Sequence, residues 1–237
     1  MTDRFITRVS ELTFHRESAI PFHIPRLFMC DFSIQHFHPH LYHHYGICYP
    51  DNIRRAVTIR QAEFLAGRYI AGLTLERLGV LTTGIPIGAN REPIWPSGVA
   101  ASLSHHRYSA VCLAAYGEQY RCAGVDIESI IDSERLQRIK AVFCSPEEEA
   151  LLRASCLPYE QAMTLLFSAK ESLFKALYPQ IRRFIDFSSA TITDIDPASG
   201  HYTLMLAQPL SAELFECRKF SGRFCFLPQG VITLCYW

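Results

Sequence analysis

Two long helical segments constrain the fold of this chain more than any other feature of its sequence. Residues 51–79 (DNIRRAVTIRQAEFLAGRYIAGLTLERLG) predict one helix, with Asp51 as its N-cap and Gly79 as its C-terminal stop. Residues 160–177 (EQAMTLLFSAKESLFKAL) predict another, which ends before Pro179. Since strands are predicted beside both helices, each half of the chain combines a long helix with strands.

Short apolar strands accompany these helices. SAVCLAAY (109–116) and CAGVDIE (122–128) predict two buried strands separated by a short turn, and ATITDI, YTLMLA, RFCFL and VITLCYW predict four more near the end of the chain. A further helix is expected to begin with the capping box of SPEEEALL, at Ser145. We therefore predict an α+β fold of two similar packed halves with pseudo-twofold symmetry, residues 1–117 and 118–237, each with a long helix against a small, mainly antiparallel sheet.

Composition argues against several classes of protein. Lys+Arg and Asp+Glu both number 23, whereas a protein that grips the nucleic-acid backbone usually has a basic excess. The opening MTDRFITRVSELTF lacks the apolar segment of a signal peptide, and no run approaches the length of a membrane span. The nine cysteines include no Cys-x-x-Cys pair and lie among apolar residues, which is typical of reduced thiols in a cytosolic protein. We expect a cytoplasmic protein with no nucleic-acid partner and no obligatory membrane anchor.

The stretch GVDIES puts two acidic residues on an apolar strand. Because side chains in a strand alternate between faces, Asp126 and Glu128 share one face and repel each other. In the second long helix, KESLFK places Glu171 and Lys175 on one face, with Lys170 about 100° away. Ordinary solvated charges remain an alternative for each group alone. Both segments are largely apolar, however, and charges on core elements are costly unless they are paired or bound to a cation.

Together these charges indicate a site built from hard oxygen ligands. The three carboxylates of Asp126, Glu128 and Glu171 suit Mg²⁺, which takes oxygen ligands and keeps positions for water and substrate phosphates. The lysines would meet the remaining phosphate charge. Zinc is less favoured, because no Cys or His shows ligand spacing nearby. A divalent cation would thus relieve the repulsion between the two strand carboxylates.

Five sequence blocks resemble those of the phosphopantetheinyl transferases and occur in the same order: RQAEFLAGR, REPIWPSG, SLSHH, GVDIE and FSAKESLFKAL. Within that family the chain is most similar to the surfactin-type and enterobactin synthase component D branch. The resemblance covers roughly residues 54 to 190. It implies an enzyme that transfers the 4′-phosphopantetheine arm of coenzyme A to a serine of an apo carrier protein and releases 3′,5′-ADP.

The resemblance also implies roles for individual residues. Asp126, Glu128 and Glu171 become Mg²⁺ ligands, and Glu171 or a metal-bound water becomes the base for the carrier serine. Lys175 balances charge on the pyrophosphate and assists the leaving group, with Lys170 nearby. The nucleotide end of coenzyme A, including its 3′-phosphate, is expected to contact Arg60, Arg68 and His105, and Arg91 and Ser104 are further candidates for binding coenzyme A.

The chain departs from the family pattern at two places. Phe167 stands where many relatives have tryptophan, and the loop before the REPIWPSG tryptophan lacks the lysine found in many relatives, so Arg91 is expected to replace it. Ser104 and His105 are expected in a phosphate-binding turn rather than as a nucleophile and its base, because no G-x-S-x-G elbow occurs. No Walker loop or dinucleotide glycine motif supports ATP- or NAD-dependent chemistry.

A histidine-rich tract, HFHPHLYHH, has two interpretations. His40 and His44 are spaced like helical metal ligands, whereas Pro39 and the aromatic neighbours favour a loop.

Two other functions remain open beside the transferase. One is a Mg²⁺-dependent hydrolase of the coenzyme A pyrophosphate, and the other is a non-catalytic module that binds carrier proteins. The presence of Asp126, Glu128, Glu171 and Lys175 favours an enzyme over the module. The enterobactin-type resemblance favours peptidyl or aryl carrier domains of siderophore-type synthetases over an acyl carrier protein, and we expect a monomer.

Overall fold

The computed structural model describes residues 4–13, 25–228 and 230–237, and the chain divides into two compact units, Met1–Tyr120 and Arg121–Trp237. The sequence had placed this boundary between residues 117 and 118. Residues 1–3 and 14, which belong to the stretch considered for a signal peptide, lie outside the described residues. Each unit has its own hydrophobic core.

The N-terminal unit contains a four-stranded antiparallel sheet in the order β1-β2-β4-β3. Its elements in chain order are β1 (Ile6–Glu11), β2 (Arg26–Phe32), α1 (Leu41–His44), α2 (Asp51–Arg54), α3 (Thr58–Arg77), β3 (Val99–His106) and β4 (Ser109–Tyr116), with a 3₁₀ helix at Ile34–His36. Helix α3 packs on β2, β3 and β4 and buries Leu65 and Ile70 completely. This burial, more than helix propensity, stabilises the helix.

The single helix predicted over residues 51–79 is two helices, α2 and α3, so this prediction was wrong at its beginning. The chain is extended at Val57, with φ −63° and ψ 151°. The side-chain amide of Gln61 donates hydrogen bonds to the carbonyl oxygens of Arg54 and Ala56 at 3.3 and 2.7 Å. These contacts satisfy carbonyls that a continuous helix would bond to backbone N–H groups. The break therefore depends on a side-chain contact that helical periodicity does not reveal.

The C-terminal unit contains a five-stranded antiparallel sheet in the order β5-β9-β8-β7-β6. Its elements in chain order are β5 (Ala123–Ser129), α4 (Ser133–Phe143), α5 (Pro146–Ala154), α6 (Tyr159–Ile181), β6 (Ala190–Asp196), β7 (His201–Leu206), β8 (Lys219–Leu227) and β9 (Gly230–Tyr236), with a 3₁₀ helix at Phe187–Ser189. The strands predicted in this half are confirmed, whereas α4 was not predicted. The capping box at the start of α5 is also confirmed, because Ser145 and Glu148 exchange side-chain and backbone hydrogen bonds at 2.9 and 3.2 Å.

Helix α6 continues past Pro179 to Ile181, whereas the sequence placed its end before the proline. Proline removes the N–H that would bond to the carbonyl of Lys175. The helix ends at Arg182, which has φ 47° and donates its backbone N–H to Tyr178 at 2.8 Å. Because Pro179 lies in the last turn, only one backbone bond is lost, and packing of α6 on β5 and β9 outweighs that loss.

The fold class agrees with the prediction: the protein is α+β, and each unit combines an antiparallel sheet with one long helix. All nine cysteines are free thiols. Within the described ranges, no helix is both long and apolar enough to cross a membrane.

Candidate active site

Strand β5 lies directly against helix α6 because Gly124 has no side chain. A Cβ atom at Gly124 would lie 1.9 Å from the backbone oxygen of Ser172. Strand residues two apart share a face, so the side chains of Asp126 and Glu128 leave β5 on the same side as this contact. Both predicted strand carboxylates therefore lie on the face of the sheet that packs against α6.

The carboxylate of Asp126 is only 2% exposed, and both of its oxygens accept hydrogen bonds from α6. Lys175 Nζ donates to Oδ1 at 2.6 Å, and Ser168 Oγ donates to Oδ2 at 2.8 Å. Ser168 also bonds to the hydroxyl of Thr233 on β9 at 2.9 Å, and Ser172 Oγ donates to the carbonyl of Thr233 at 2.9 Å. These hydrogen bonds fix the positions of Asp126 and of the lysine that it pairs with.

Two more carboxylates lie within electrostatic range of this pair. Burial raises the pKa of Glu128 to about 7, and the charge of Asp126 contributes to the rise while Lys175 opposes it. Burial also raises the pKa of Glu171, with Lys175 opposing and Asp126 contributing. The structure therefore pairs Asp126 with Lys175 and places Glu128 and Glu171 within electrostatic range of that pair.

These carboxylates do not converge on a single point. Within the described ranges, no group of three or more His, Cys, Asp or Glu side chains is arranged to hold a metal ion. Lys175 supplies the positive charge at Oδ1 of Asp126. The donor set nevertheless fits the chemistry of a hard divalent cation, because it consists of one buried and two half-buried carboxylates whose like charges repel each other. A cation at Asp126 would compete with the lysine ammonium.

Lys170 is directed away from this group. Its ammonium donates to Glu148 Oε2 at 2.8 Å and to the carbonyl of Phe143 at 2.7 Å, and its side chain is 4% exposed. Burial lowers the pKa of Lys170, and Glu148 opposes that effect. Lys170 lies five positions before Lys175, so the two side chains point about 140° apart around the helix axis. The structure therefore does not bring Lys170 to the predicted phosphate site.

A second polar group lies in the N-terminal unit, where α3 packs on β3. Arg60 Nη1 donates to His105 Nε2 at 2.6 Å. Glu63 Oε2 lies 3.5 Å from Arg60 Nη1 and 3.6 Å from His105 Nδ1. The structure thus joins the predicted Arg60 and His105 and adds a carboxylate to them.

Arg68 lies on the same helix and is 8% exposed. Its guanidinium lies 4.6 Å from the centre of the Phe64 ring, and its Nε has no hydrogen-bond partner in the part of the chain that the structure describes. Burial, followed by the positive charge of Arg60, lowers the pKa of Arg68 to about 10. Arg68 also lines a cavity of about 800 Å³, together with Tyr45 and Tyr69. A buried arginine with an unsatisfied N–H beside a cavity favours an anion there.

Ser104 and His105 lie in strand β3, so the expectation of a phosphate-binding turn was wrong. Adjacent strand residues face opposite sides of a sheet. Leu103 faces α3, since a Cβ atom at Gly67 would lie 3.2 Å from its Cδ2. His105 therefore also faces α3, whereas Ser104 is buried on the opposite face.

Arg91 lies at the tip of a hairpin turn and is exposed. Its φ is 68°, and its backbone N–H donates to the carbonyl of Gly88 at 3.0 Å. The structure therefore groups Arg60, Arg68 and His105 on or against α3 and holds Arg91 in a separate loop.

The histidine-rich tract begins at His36, the last residue of the 3₁₀ helix, and continues through a turn into the short helix α1. The Nδ1 atoms of His38 and His40 lie 2.6 Å apart, and both side chains are exposed. His40 immediately precedes α1 and His44 ends it, so the tract is partly helical.

Five residues of these sites escaped the sequence prediction: Glu63, Glu148, Ser168, Ser172 and Thr233. Ser168 lies three residues before Glu171, and Glu63 lies three after Arg60, so helical spacing could have found both. Glu148 was expected only as a capping residue. Thr233 carries no local signal, because its role depends on the pairing of β5 with β9.

Comparison with known proteins finds family matches in both units of the chain. Residues 50–115 match the 4′-phosphopantetheinyl transferase N-terminal domain, and residues 122–231 match the 4′-phosphopantetheinyl transferase superfamily. Enterobactin synthase component D of Salmonella typhi is 36% identical over 220 residues, which cover 91% of this chain and 87% of that protein. The 4′-phosphopantetheinyl transferase Npt of Nocardia iowensis is 33% identical over 197 residues, covering 76% of this chain and 84% of that protein. The 4′-phosphopantetheinyl transferase PptT of Mycobacterium tuberculosis is 31% identical over 150 residues, covering 62% of this chain and 64% of that protein.

Proposed function

This chain belongs to the 4′-phosphopantetheinyl transferase superfamily, and we propose that its two units carry different parts of the reaction. The protein transfers the 4′-phosphopantetheine arm of coenzyme A to a serine of an apo carrier protein. We assign the metal and pyrophosphate chemistry to the C-terminal unit. Recognition of the nucleotide end of coenzyme A is assigned to the N-terminal unit.

One observation carries the assignment of the reacting site. The ion pair of Asp126 and Lys175 lies within electrostatic range of Glu128 and Glu171, whose pKa values are raised by burial. Such perturbed carboxylates are concentrated at functional sites, where burial and neighbouring like charges adjust a group to its ligand or reaction. A pyrophosphate with its divalent cation supplies the charges that this group lacks.

We propose that Asp126, Glu128 and Glu171 hold Mg²⁺. When bound there, Mg²⁺ neutralises charge on the pyrophosphate oxygens. Lys175 meets the remaining negative charge, which grows on the leaving phosphate as its bond breaks. The 2.6 Å contact with Asp126 holds the lysine ammonium at the face of α6 where this charge is needed.

In the proposed step, the carrier serine oxygen forms a bond to the phosphorus nearer to pantetheine. The P–O bond to the nucleotide side breaks, and 3′,5′-ADP leaves with that bonding pair. Glu171, or a water held by the metal, takes the serine proton.

The N-terminal unit supplies the cations for the nucleotide end. The unsatisfied Nε of Arg68, the contact of Arg60 with His105 and the adjacent cavity support an anion site there. We assign the 3′-phosphate of coenzyme A to Arg60 and His105, with Arg68 also at the nucleotide end. Arg91 remains a prediction as a further cation, while the burial of Ser104 on the other face of β3 gives it no support.

The relatives named enterobactin synthase component D indicate the carrier class. We propose that the acceptors are peptidyl or aryl carrier domains of siderophore-type synthetases. We also propose a cytoplasmic monomer that needs no nucleic acid; the nine free thiols fit a reducing compartment, and the zero net charge fits the lack of a nucleic-acid partner.

The test is mass spectrometry of purified apo carriers incubated with the protein, coenzyme A and Mg²⁺. We expect a peptidyl or aryl carrier to gain the mass of one phosphopantetheine per acceptor serine, faster than a fatty-acid carrier. Release of 3′,5′-ADP without a mass gain would identify a hydrolase. Binding without turnover would identify a non-catalytic module.

The metal assignment is tested in the same assay. EDTA and Asp126→Ala should each reduce transfer by at least about 10²-fold, the usual effect of losing one group that stabilises transition-state charge. The Asp126→Ala protein should stay folded, because one of three repelling carboxylates is removed. Transfer that survives both treatments would overturn the metal site.

A further inference from the structure

Glu63 is placed where it can control the nucleotide site without contacting the reacting atoms. It lies on α3, three residues after Arg60, and its carboxylate is 17% exposed. Its Oε2 lies within 3.6 Å of both Arg60 Nη1 and His105 Nδ1. The carboxylate therefore faces both of the groups assigned to the 3′-phosphate of coenzyme A.

The contacts of His105 select one tautomer of its ring. A guanidinium can only donate hydrogen bonds, so Nε2 must accept from Arg60 at 2.6 Å. In the neutral ring, the proton then resides on Nδ1. The carboxylate of Glu63 can only accept, and it lies on the Nδ1 side at 3.6 Å. Both neighbours therefore favour the same tautomer and the same ring orientation, with Nε2 directed toward Arg60.

The orientation of the His105 ring determines which of its nitrogens meets a bound anion. A phosphate oxygen at Arg60 approaches the Nε2 edge of His105, because Arg60 and Nε2 are in contact. While Nδ1 keeps its proton beside Glu63, the ring can donate a hydrogen bond from Nε2 only if it carries a proton on each nitrogen. The Glu63 carboxylate beside Nδ1 supplies the negative charge that accompanies this form, as carboxylates beside functional histidines commonly do.

Glu63 also opposes the repulsion between Arg60 and Arg68 of α3. The charge of Arg60 contributes to the lowered pKa of Arg68, after burial. Glu63 lies 3.5 Å from Arg60, so it offsets part of this positive charge before the anion binds. A carboxylate so near a phosphate also repels it directly. The sign of its net effect on binding therefore separates a positioning role from simple repulsion.

We propose that Glu63 is a positioning residue for the coenzyme A 3′-phosphate, acting through His105 and Arg60. This inference rests on the proposed assignment of the 3′-phosphate to those two residues. Replacing Glu63 should weaken the use of coenzyme A while leaving the chemical step intact.

The experiment compares coenzyme A with dephospho-coenzyme A, which lacks the 3′-phosphate. For Glu63→Gln, we expect KM for coenzyme A to rise about 5-fold, the upper range for one partly exposed ion pair. Both kcat and the KM for dephospho-coenzyme A should stay near the wild-type values. Glu11→Gln is the matched control, because it removes an exposed glutamate–arginine pair of the same unit, the 2.8 Å pair with Arg26.

A double variant tests whether Glu63 acts through the histidine. If it does, Glu63→Gln should add little to the loss already caused by His105→Ala, because coupled residues give non-additive effects. Additive losses would show an independent role and overturn the proposal.

The outcomes separate this inference from the function on which it rests. If the wild-type protein does not prefer coenzyme A over dephospho-coenzyme A, the 3′-phosphate assignment itself fails. If it does, and His105→Ala abolishes the preference while Glu63→Gln retains it, only the role of Glu63 fails. A lower KM in Glu63→Gln would show that the carboxylate merely repels the substrate.

A measurement on the wild-type protein keeps the test independent of how the variants fold. Nitrogen chemical shifts of the His105 ring should identify the neutral tautomer protonated on Nδ1. Observation of the tautomer protonated on Nε2 would overturn the proposed arrangement.

Discussion

The two lysines of helix α6 form ion pairs with very different surroundings. The pair of Lys170 and Glu148 has side chains 4% and 2% exposed. Its lysine also donates to the Phe143 carbonyl, and its carboxylate accepts from the Ile192 N–H at 2.8 Å. The Lys175 pair with Asp126 is shorter, at 2.6 Å, but its lysine side chain is 25% exposed.

The difference is one of charge balance. Lys170 faces one carboxylate, and further hydrogen bonds satisfy both partners, so the group is complete within the fold. Lys175 lies among three carboxylates, two of which have raised pKa values. This group is incomplete without further positive charge. The comparison separates an ion pair that its own fold satisfies from one that leaves an excess of negative charge, and the proposed active site rests on this second arrangement.

The largest expected effect comes from removing Lys170, which tests whether its ion pair stabilises the fold. Lys170→Met leaves the Glu148 carboxylate buried without its cation, and breaking a buried pair in this way costs about 3–5 kcal/mol in the free energy of unfolding. Urea unfolding measures the loss. Arg153→Ala is the control, since Arg153 pairs with Glu149 at 2.7 Å but is 58% exposed, and it should cost less than about 1 kcal/mol. Equal losses for the two variants would contradict a structural role for Lys170.

Removal of the other lysine should affect the reaction instead. Lys175→Met is expected to lower kcat on the order of 10²–10³-fold, because the charge that the lysine meets grows in the transition state. With Mg²⁺ present, its effect on the free energy of unfolding should be smaller than that of Lys170→Met. Steady-state kinetics with a carrier protein and coenzyme A provide the measurement. An effect confined to KM for coenzyme A would refute the assigned role.

Periodicity predicted from the sequence which charged residues of the proposed reacting site share a face. A spacing of two put Asp126 and Glu128 on one face of β5, and a spacing of four put Glu171 and Lys175 on one face of α6. These inferences held because both segments have the regular structure on which the spacing argument depends.

The sequence could not distinguish Lys170 from Lys175 in the same way. The partner of Lys170 is 22 residues away along the chain, on α5, and only the packing of α5 on α6 brings it close. The same limit applies to Ser104 and His105. Their adjacency suggested one shared function, but strand geometry directs them to opposite faces of β3.

The smallest expected effect is on the pH dependence of stability, and it tests the same contrast between the two ion pairs. Burial, followed by the charge of Asp126, raises the pKa of Glu128 from 4.5 to about 7. The folded protein therefore binds this proton more tightly than the unfolded chain does. The resulting stabilisation is complete below pH 4.5 and is lost as the pH rises through about 7. Above that pH, the ionised carboxylate opposes folding.

Glu128→Gln removes this charge. Without Mg²⁺, the gain in the free energy of unfolding of the variant over the wild type should therefore be larger at pH 8 than at pH 5.5, by on the order of 1 kcal/mol after allowance for partial exposure. Thermal or urea unfolding at the two pH values measures the difference. Added Mg²⁺ should stabilise the wild-type protein more than the variant at pH 8, because the cation relieves the repulsion that the variant has already reduced. Glu118→Gln, at an exposed position after β4, is the control and should show neither effect. A difference in stability between variant and wild type that does not depend on pH would mean that Glu128 acts through packing alone. The contrast with Glu148, whose charge Lys170 balances, would then lose its electrostatic basis.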